Sequence, residues 1–218
     1  MKLTEAKLKQ LIKEVLEEAM KTLGDLPEGV FIHVDGEVED VVDVYYSDKE
    51  GKPVKFQNDS KPYGHISMDL EVQMAQDFPC LNALMVGYSD ASKGWGPLLY
   101  DVAIEVATLK GGGLVSDRSI VSQDAYNVWD KYTKRDGIEK IQLDNEYDAL
   151  TYPKDDPLKR DPIPFDNCLQ NISYEYEEKT GIPWYESPLS KMYKKEPTTL
   201  KALEGSKKLI LTNIDLDF

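Results

Sequence analysis

Leu84-Met85-Val86-Gly87-Tyr88, followed by Ser89-Asp90-Ala91-Ser92-Lys93-Gly94-Trp95-Gly96 and then Pro97-Leu98-Leu99-Tyr100-Asp101-Val102-Ala103-Ile104-Glu105-Val106-Ala107, is the stretch that decides the fold. The continuously apolar run from Leu81 to Tyr88 predicts a central strand. The glycine-containing loop leads straight into a helix that opens on Pro97, whose missing N–H would have had no intrahelical partner there. That helix is apolar on most sides, so it belongs against a sheet. Gly111-Gly112-Gly113 ends it, and Leu114 and Val115 begin a short strand. Ser122 caps a second helix carrying Ala125, Val128, Trp129 and Tyr132 at helical spacing. Ile138 to Leu143 reads as a further strand.

Upstream, Ile66, Met68, Leu70 and Val72 alternate with Ser67, Asp69 and Glu71, a half-buried strand. Val30, Ile32 and Val34 alternate as well, and Val41 to Tyr46 is apolar and β-branched. The Asp48 to Lys52 turn predicts a hairpin returning through Val54 and Phe56. The chain starts with an amphipathic helix on which Leu8, Leu11, Ile12, Val15, Leu16, Ala19, Met20 and Leu23 share one face. This segment offers a surface for packing or for a protein partner.

Downstream, the prolines from Pro153 to Pro164 mark a linker or surface arm. A helix is expected from about Asp166 to Lys179, stopped by Gly181, and a last strand over Leu209 to Leu211. Lys191, Lys194, Lys195, Lys201, Lys207 and Lys208 make the tail locally basic and read as solvated side chains. The organisation predicted is an N-terminal helix over 1–23, a domain over 24–145 and an extension over 146–218 packed on or beside it.

The 218 residues carry 26 Lys plus Arg against 40 Asp plus Glu, a net charge of −14. Such a surface repels phosphate backbones and anionic membranes, and it favours cationic partners such as amines or basic peptides. Cys80 and Cys168 form no metal or redox motif. No apolar run reaches membrane-spanning length, and a cytoplasmic protein is the expectation. His33 and His65 show no metal-ligand spacing, and no local signature supports a Cys80–His65 nucleophile pair.

A strand feeding a glycine loop into a helix N-terminus is a generic anion site, because backbone N–H groups and the helix dipole point outward there. Lys93 can add a charge. The loop is neither a P-loop nor a dinucleotide fingerprint.

Ala91-Ser92-Lys93-Gly94-Trp95-Gly96 resembles the Gln/Arg-x-x-Gly-x-Gly/Ala loop of the GNAT superfamily of acyl-CoA N-acyltransferases. Both glycines are in register, Ala91 stands in place of Gln or Arg, and Pro97 removes one N–H. Ala125 and Trp129 resemble that family's later Ala-x-x-x-Tyr pattern, with Trp129 where the tyrosine stands. The resemblance spans roughly residues 30 to 145. It implies an α+β fold, a central, mostly antiparallel mixed sheet flanked by helices, and acetyl-CoA or another acyl-CoA as donor to an amine.

Several site residues follow from the resemblance. Val86, Tyr88, Ser92, Lys93, Gly94, Trp95 and Gly96 would bind the coenzyme, with a backbone N–H from the splayed strand at Val86 to Tyr88 facing the thioester oxygen. Tyr132 or Tyr126 would protonate the leaving thiolate, and Glu71, Asp90 or Asp117 would take the amine proton. Arg118 is a further candidate, otherwise an ion-pair partner of Asp117. The alternative is a non-catalytic protein of the same fold, encoded by a bacteriophage and acting by protein–protein binding. The amphipathic leader resembles those of phage-encoded proteins. An acidic mimic of nucleic acid is a third, weaker reading.

Overall fold

The computed structural model describes residues 21–38, 41–54, 63–69, 82–117, 120–143 and 171–218. The expected leader helix up to residue 20 lies outside the described residues. So do Glu71, Arg118, both cysteines and the proline-containing segment.

The strands are β1 (Phe31–Val38), β2 (Val41–Ser47), β3 (Gly64–Asp69), β4 (Leu84–Ala91), β5 (Leu114–Val115), β6 (Glu139–Gln142), β7 (Lys191–Lys194) and β8 (Leu209–Thr212). They form one eight-stranded mixed sheet in the order β6-β7-β5-β4-β3-β2-β1-β8. Strands β1 to β4 run antiparallel in sequence, β4 and β5 are parallel, and β8 lies parallel to β1. Helices flank the sheet: α1 (Gly96–Lys110), α2 (Gln123–Lys134), α3 (Asn171–Thr180) and α4 (Thr198–Gly205). The fold is therefore α+β.

The alternations predicted at Val30, Ile32 and Val34 and at Ile66 and Met68 are realised, with Leu70 and Val72 outside the described residues, and the run from Val41 to Tyr46 alternates as well. Val42, Val44 and Tyr46 of β2 and Ile66 and Met68 of β3 are buried, and the residues between them turn to the other face. The Asp48 turn closes as expected, with the Asp48 carboxylate accepting from the N–H groups of Glu50 (2.8 Å) and Lys52 (3.0 Å). Helix α1 is buried continuously from Leu98 to Ala107, which explains its lack of a polar face. It packs closest at Gly64, where an added Cβ would sit 2.6 Å from Leu99 Cδ1. The Ser122 hydroxyl accepts from the Ala125 N–H at 3.2 Å and starts α2 as predicted.

The C-terminal segment is not an appendage beside the sheet. Strand β7 lies between β5 and β6, and β8 closes the opposite edge on β1. At four residues, β7 is too short to show an alternation, and lysines frame its buried Met192 and Tyr193. Nor are the tail lysines all solvated. Lys195 is buried and paired with Glu105 in the middle of α1. Lys208 Nζ donates to the carbonyls of Pro27 (2.9 Å) and Val30 (3.0 Å). No helix among the described residues is long and apolar enough to cross a membrane.

Candidate functional site

The parallel pair β4–β5 is joined only at Leu84–Leu114 and Met85–Val115. Beyond that point β4 runs on to Ala91, and the chain after Val115 turns away toward α2. A β-bulge adds to the divergence: Met68 faces Val86 and Ser67 faces Tyr88, leaving Gly87 as the extra residue. The result is a wedge of about 210 Å³ between Val86, Gly87 and Tyr88 on one wall and Asp117, Val121 and Trp129 on the other. It adjoins a larger hollow of about 560 Å³ under the glycine loop, between Ser92, Lys93, Gly94 and Gly96 and the α2 residues Asp124 and Lys131. Ser89, Tyr100, Ser122 and Ala125 line both, so the two form one slot.

The loop is held from behind. Ser92 exchanges bonds with Tyr63, its N–H reaching Tyr63 O at 2.9 Å and its Oγ accepting the Tyr63 N–H at 3.0 Å. The Trp95 N–H closes a turn onto Ser92 O at 3.0 Å, and the Lys21 N–H caps Gly94 O at 3.0 Å. Gly94 sits at φ +84°, a left-handed conformation that favours glycine. Gly96 is different: its φ is not left-handed, and an added Cβ would meet only Ala91 Cβ, at 3.5 Å. Its missing side chain is not needed for packing and leaves the hollow open beside the helix N-terminus. With Pro97 in the first turn, the N–H groups without an intrahelical partner are those of Gly96 and Leu98.

Of the coenzyme-site expectations, Val86 and Tyr88 line the wedge, and Ser92, Lys93, Gly94 and Gly96 line the loop hollow. Trp95 does not. It is 6% exposed, its ring sits edge-on to Tyr46 at 5.6 Å, and its carbonyl accepts from the Tyr46 hydroxyl at 2.9 Å. Its size anchors the loop to the core.

The two expected acids are placed elsewhere. Tyr132 is buried behind α1, its hydroxyl lying 2.8 Å from Pro97 O and 3.0 Å from Asp101 Oδ1, which also accepts from Arg135 Nη1 at 2.6 Å. Burial and the Asp101 carboxylate push its pKa far up. Tyr126 stacks on Tyr176 of α3 at 5.1 Å and does not line the slot. Asp117 lines the wedge and also accepts from the Ile120 N–H at 2.8 Å, as a turn carboxylate does. Asp90 lies in the loop hollow.

Besides the exposed Tyr88, a buried phenol also faces the slot: Tyr100, which the sequence reading passed over. Its hydroxyl donates to Ser89 Oγ at 3.1 Å, its ring stands edge-on to Trp129 at 5.3 Å, and burial raises its pKa. Its position one turn after Gly96 was the available signal, because residues four apart share a helix face. A second missed grouping lies across the sheet from α1, where His65 Nε2 meets Asp43 Oδ1 at 2.8 Å. No group of three or more metal-ligating side chains occurs among the described residues.

No protein-family model matches the chain, and no curated protein or solved structure matches it either.

Proposed function

We propose that the chain is a GNAT-type N-acyltransferase that moves an acyl group, acetyl in the simplest case, from acyl-CoA to an amine. The observation that carries this reading is the parting of β4 and β5 after Met85 and Val115, which opens a slot beside the glycine loop. An anion is favoured at the loop, where Gly96 opens α1, the helix dipole adds positive charge and Lys93 and Lys131 line the wall. A diphosphate suits that end. From Val86 onward β4 has no strand opposite it on this side among the described residues, so an extended chain bearing amides can pair with its edge. Such a chain runs from the loop toward the bulge at Gly87 and brings a thioester into the smaller wedge.

Trp129 and Tyr100 wall that wedge and restrict water. The Tyr100 hydroxyl, kept protonated by burial, is the group set to protonate a departing sulfur, either directly or through Ser89. Its position replaces the roles expected of Tyr132 and Tyr126.

The test is calorimetric titration of CoA into the wild type and into Gly94→Asp, followed by thiol release from acetyl-CoA with a panel of amines. Binding by the wild type that is lost in Gly94→Asp, where a carboxylate meets the diphosphate, supports the reading. No binding by the wild type at millimolar CoA would sink it. Tyr100→Phe is expected to lower kcat on the order of 100-fold or more, whereas Tyr132→Phe should act on stability. A second reading, a coenzyme-binding protein without transfer, is favoured by the internal engagement of Tyr132. Binding without thiol release from any amine would select it.

A further inference from the structure

Residues from both faces of β4 line the slot. On the face of α1 lie Ser89 and Tyr100. On the opposite face β4 presents Tyr88 and Asp90, whose cross-strand partners on β3 are Ser67 and His65. We infer that His65 and Asp43, beside Tyr88, form the acceptor side of the slot, where a cationic primary amine docks and gives up its proton to His65. This rests on the transferase reading and supplies the base which that reading lacks.

A carboxylate only accepts hydrogen bonds, so the 2.8 Å contact to Asp43 Oδ1 fixes the proton of neutral His65 on Nε2. Nδ1 then carries the lone pair, and it has no hydrogen-bond partner among the described residues. An acid holding one imidazole nitrogen while the other stays basic is the arrangement that makes a histidine a competent general base. The side chains are reachable, His65 at 39% and Asp43 at 30% exposure. The ring of His65 lies 5.7 Å from that of Tyr88, itself 52% exposed and part of the wedge wall.

Among the described residues, the charged and titratable groups around His65 are Asp43 and Tyr45 on β2, Tyr88 and Asp90 on β4, and Asp69 on its own strand, with Tyr63 next to Asp90. None of these is cationic, so they attract an ammonium ion.

In the step that follows, the ammonium passes one proton to His65 Nδ1. The freed nitrogen lone pair attacks the thioester carbon, the C–N bond forms and the C–S bond breaks. Tyr100 protonates the departing sulfur and is itself restored by the surplus proton on nitrogen, leaving an amide, a thiol and an imidazolium held by Asp43.

The probe is CoA carrying a 4-aminobutyl group on its sulfur, compared with CoA itself by calorimetry. The expected result is that the wild type binds the conjugate about tenfold more tightly, ~1.4 kcal/mol. That advantage should vanish in Asp43→Asn and His65→Gln, with the affinity for plain CoA unchanged. Because His33 and His65 are the only histidines, long-range ¹⁵N–¹H spectra of the wild type report the tautomer without any variant. The expected neutral form has an unprotonated Nδ1 on His65, and the conjugate shifts that resonance while leaving His33 in place. Equal affinity for conjugate and CoA, an advantage that survives both substitutions, or a neutral His65 protonated on Nδ1 would each overturn the assignment and leave the coenzyme site standing. If the wild type binds neither ligand, the transferase reading falls and this one with it.

Discussion

Gly96→Ala separates a glycine kept for a ligand from one kept for the fold. The new methyl group meets only Ala91 Cβ at 3.5 Å, an ordinary contact, and the residue already has helical φ and ψ at the start of α1. Replacing glycine by alanine under those conditions stabilises a protein by roughly 0.4–1 kcal/mol, by narrowing the unfolded ensemble. For a chain of this length that corresponds to a rise in Tm of roughly 1–4 °C. The same methyl group intrudes on the space a diphosphate needs to reach the Gly96 N–H. Losing one charge-assisted hydrogen bond there costs roughly 1.5–3 kcal/mol, which is ~10- to 150-fold in Kd for CoA.

The assay pairs thermal and urea melts with calorimetry, using Gly64→Ala as contrast. There the added Cβ would lie 2.6 Å from Leu99 Cδ1, 3.0 Å from Ala91 Cβ and 3.1 Å from Asp90 O. Stability should fall by roughly 1–3 kcal/mol. A Gly96→Ala protein that melts below the wild type, or binds CoA as tightly, would refute the reasoning.

Two further predictions concern buried charge. Glu105, with no exposed surface, pairs with Lys195 and accepts the N–H groups of Thr199 (2.8 Å) and Leu200 (2.7 Å), capping α4 from inside α1. Glu105→Ala leaves Lys195 buried without its partner and should cost about 3–5 kcal/mol in urea unfolding; a loss under about 1 kcal/mol contradicts this role. Lys191 is bonded to Gln142 and to Tyr185 O, and burial lowers its pKa to about 8. The folded state therefore releases this proton more readily than the unfolded chain. The resulting penalty is full below pH 8 and disappears as pH rises toward 10.5, the ordinary lysine value. Relative to Lys191→Met, wild-type stability should gain about 1–3 kcal/mol between pH 7.5 and 10, discounted for partial solvent access. A constant difference across that range would show that the pKa is not depressed.

The segment from Leu84 to Tyr132 was legible because each of its elements announces itself locally. It has an apolar strand, glycines, a proline at the helix start, a serine cap, and a helix whose apolar residues cover all sides. Trp95, Tyr126 and Tyr132 were misplaced because a motif fixes a residue's position along a helix or loop, not which neighbour its ring meets. Trp95 turned inward to Tyr46, and Tyr132 turned under α1 to Asp101. Tyr100 carried the positional signal but was read only as part of an apolar helix. The His65–Asp43 pair was out of reach, because it depends on the register of β2 against β3, which places Asp43 opposite Ser67 and Tyr45 opposite His65. A slip of one residue between the two strands would have put the two side chains on opposite faces.

The shape of the slot depends on that hidden part of the sequence. A two-residue β5 could follow β4 further and close the wedge. It stops at Val115 instead, and its other edge is taken by β7 at Leu114–Tyr193. The approach is close enough that a Cβ on Gly113, at φ +140°, would sit 2.7 Å from Tyr193 O. Tyr193 is fully buried, and its hydroxyl is tied to Pro188 O at 2.7 Å and to Thr133 of α2, also at 2.7 Å. The strand beside β5 is thus fastened to the helix that forms the far wall of the slot. A segment nearly eighty residues downstream therefore braces both β5 and α2, and the slot is not built from the motif-bearing stretch alone.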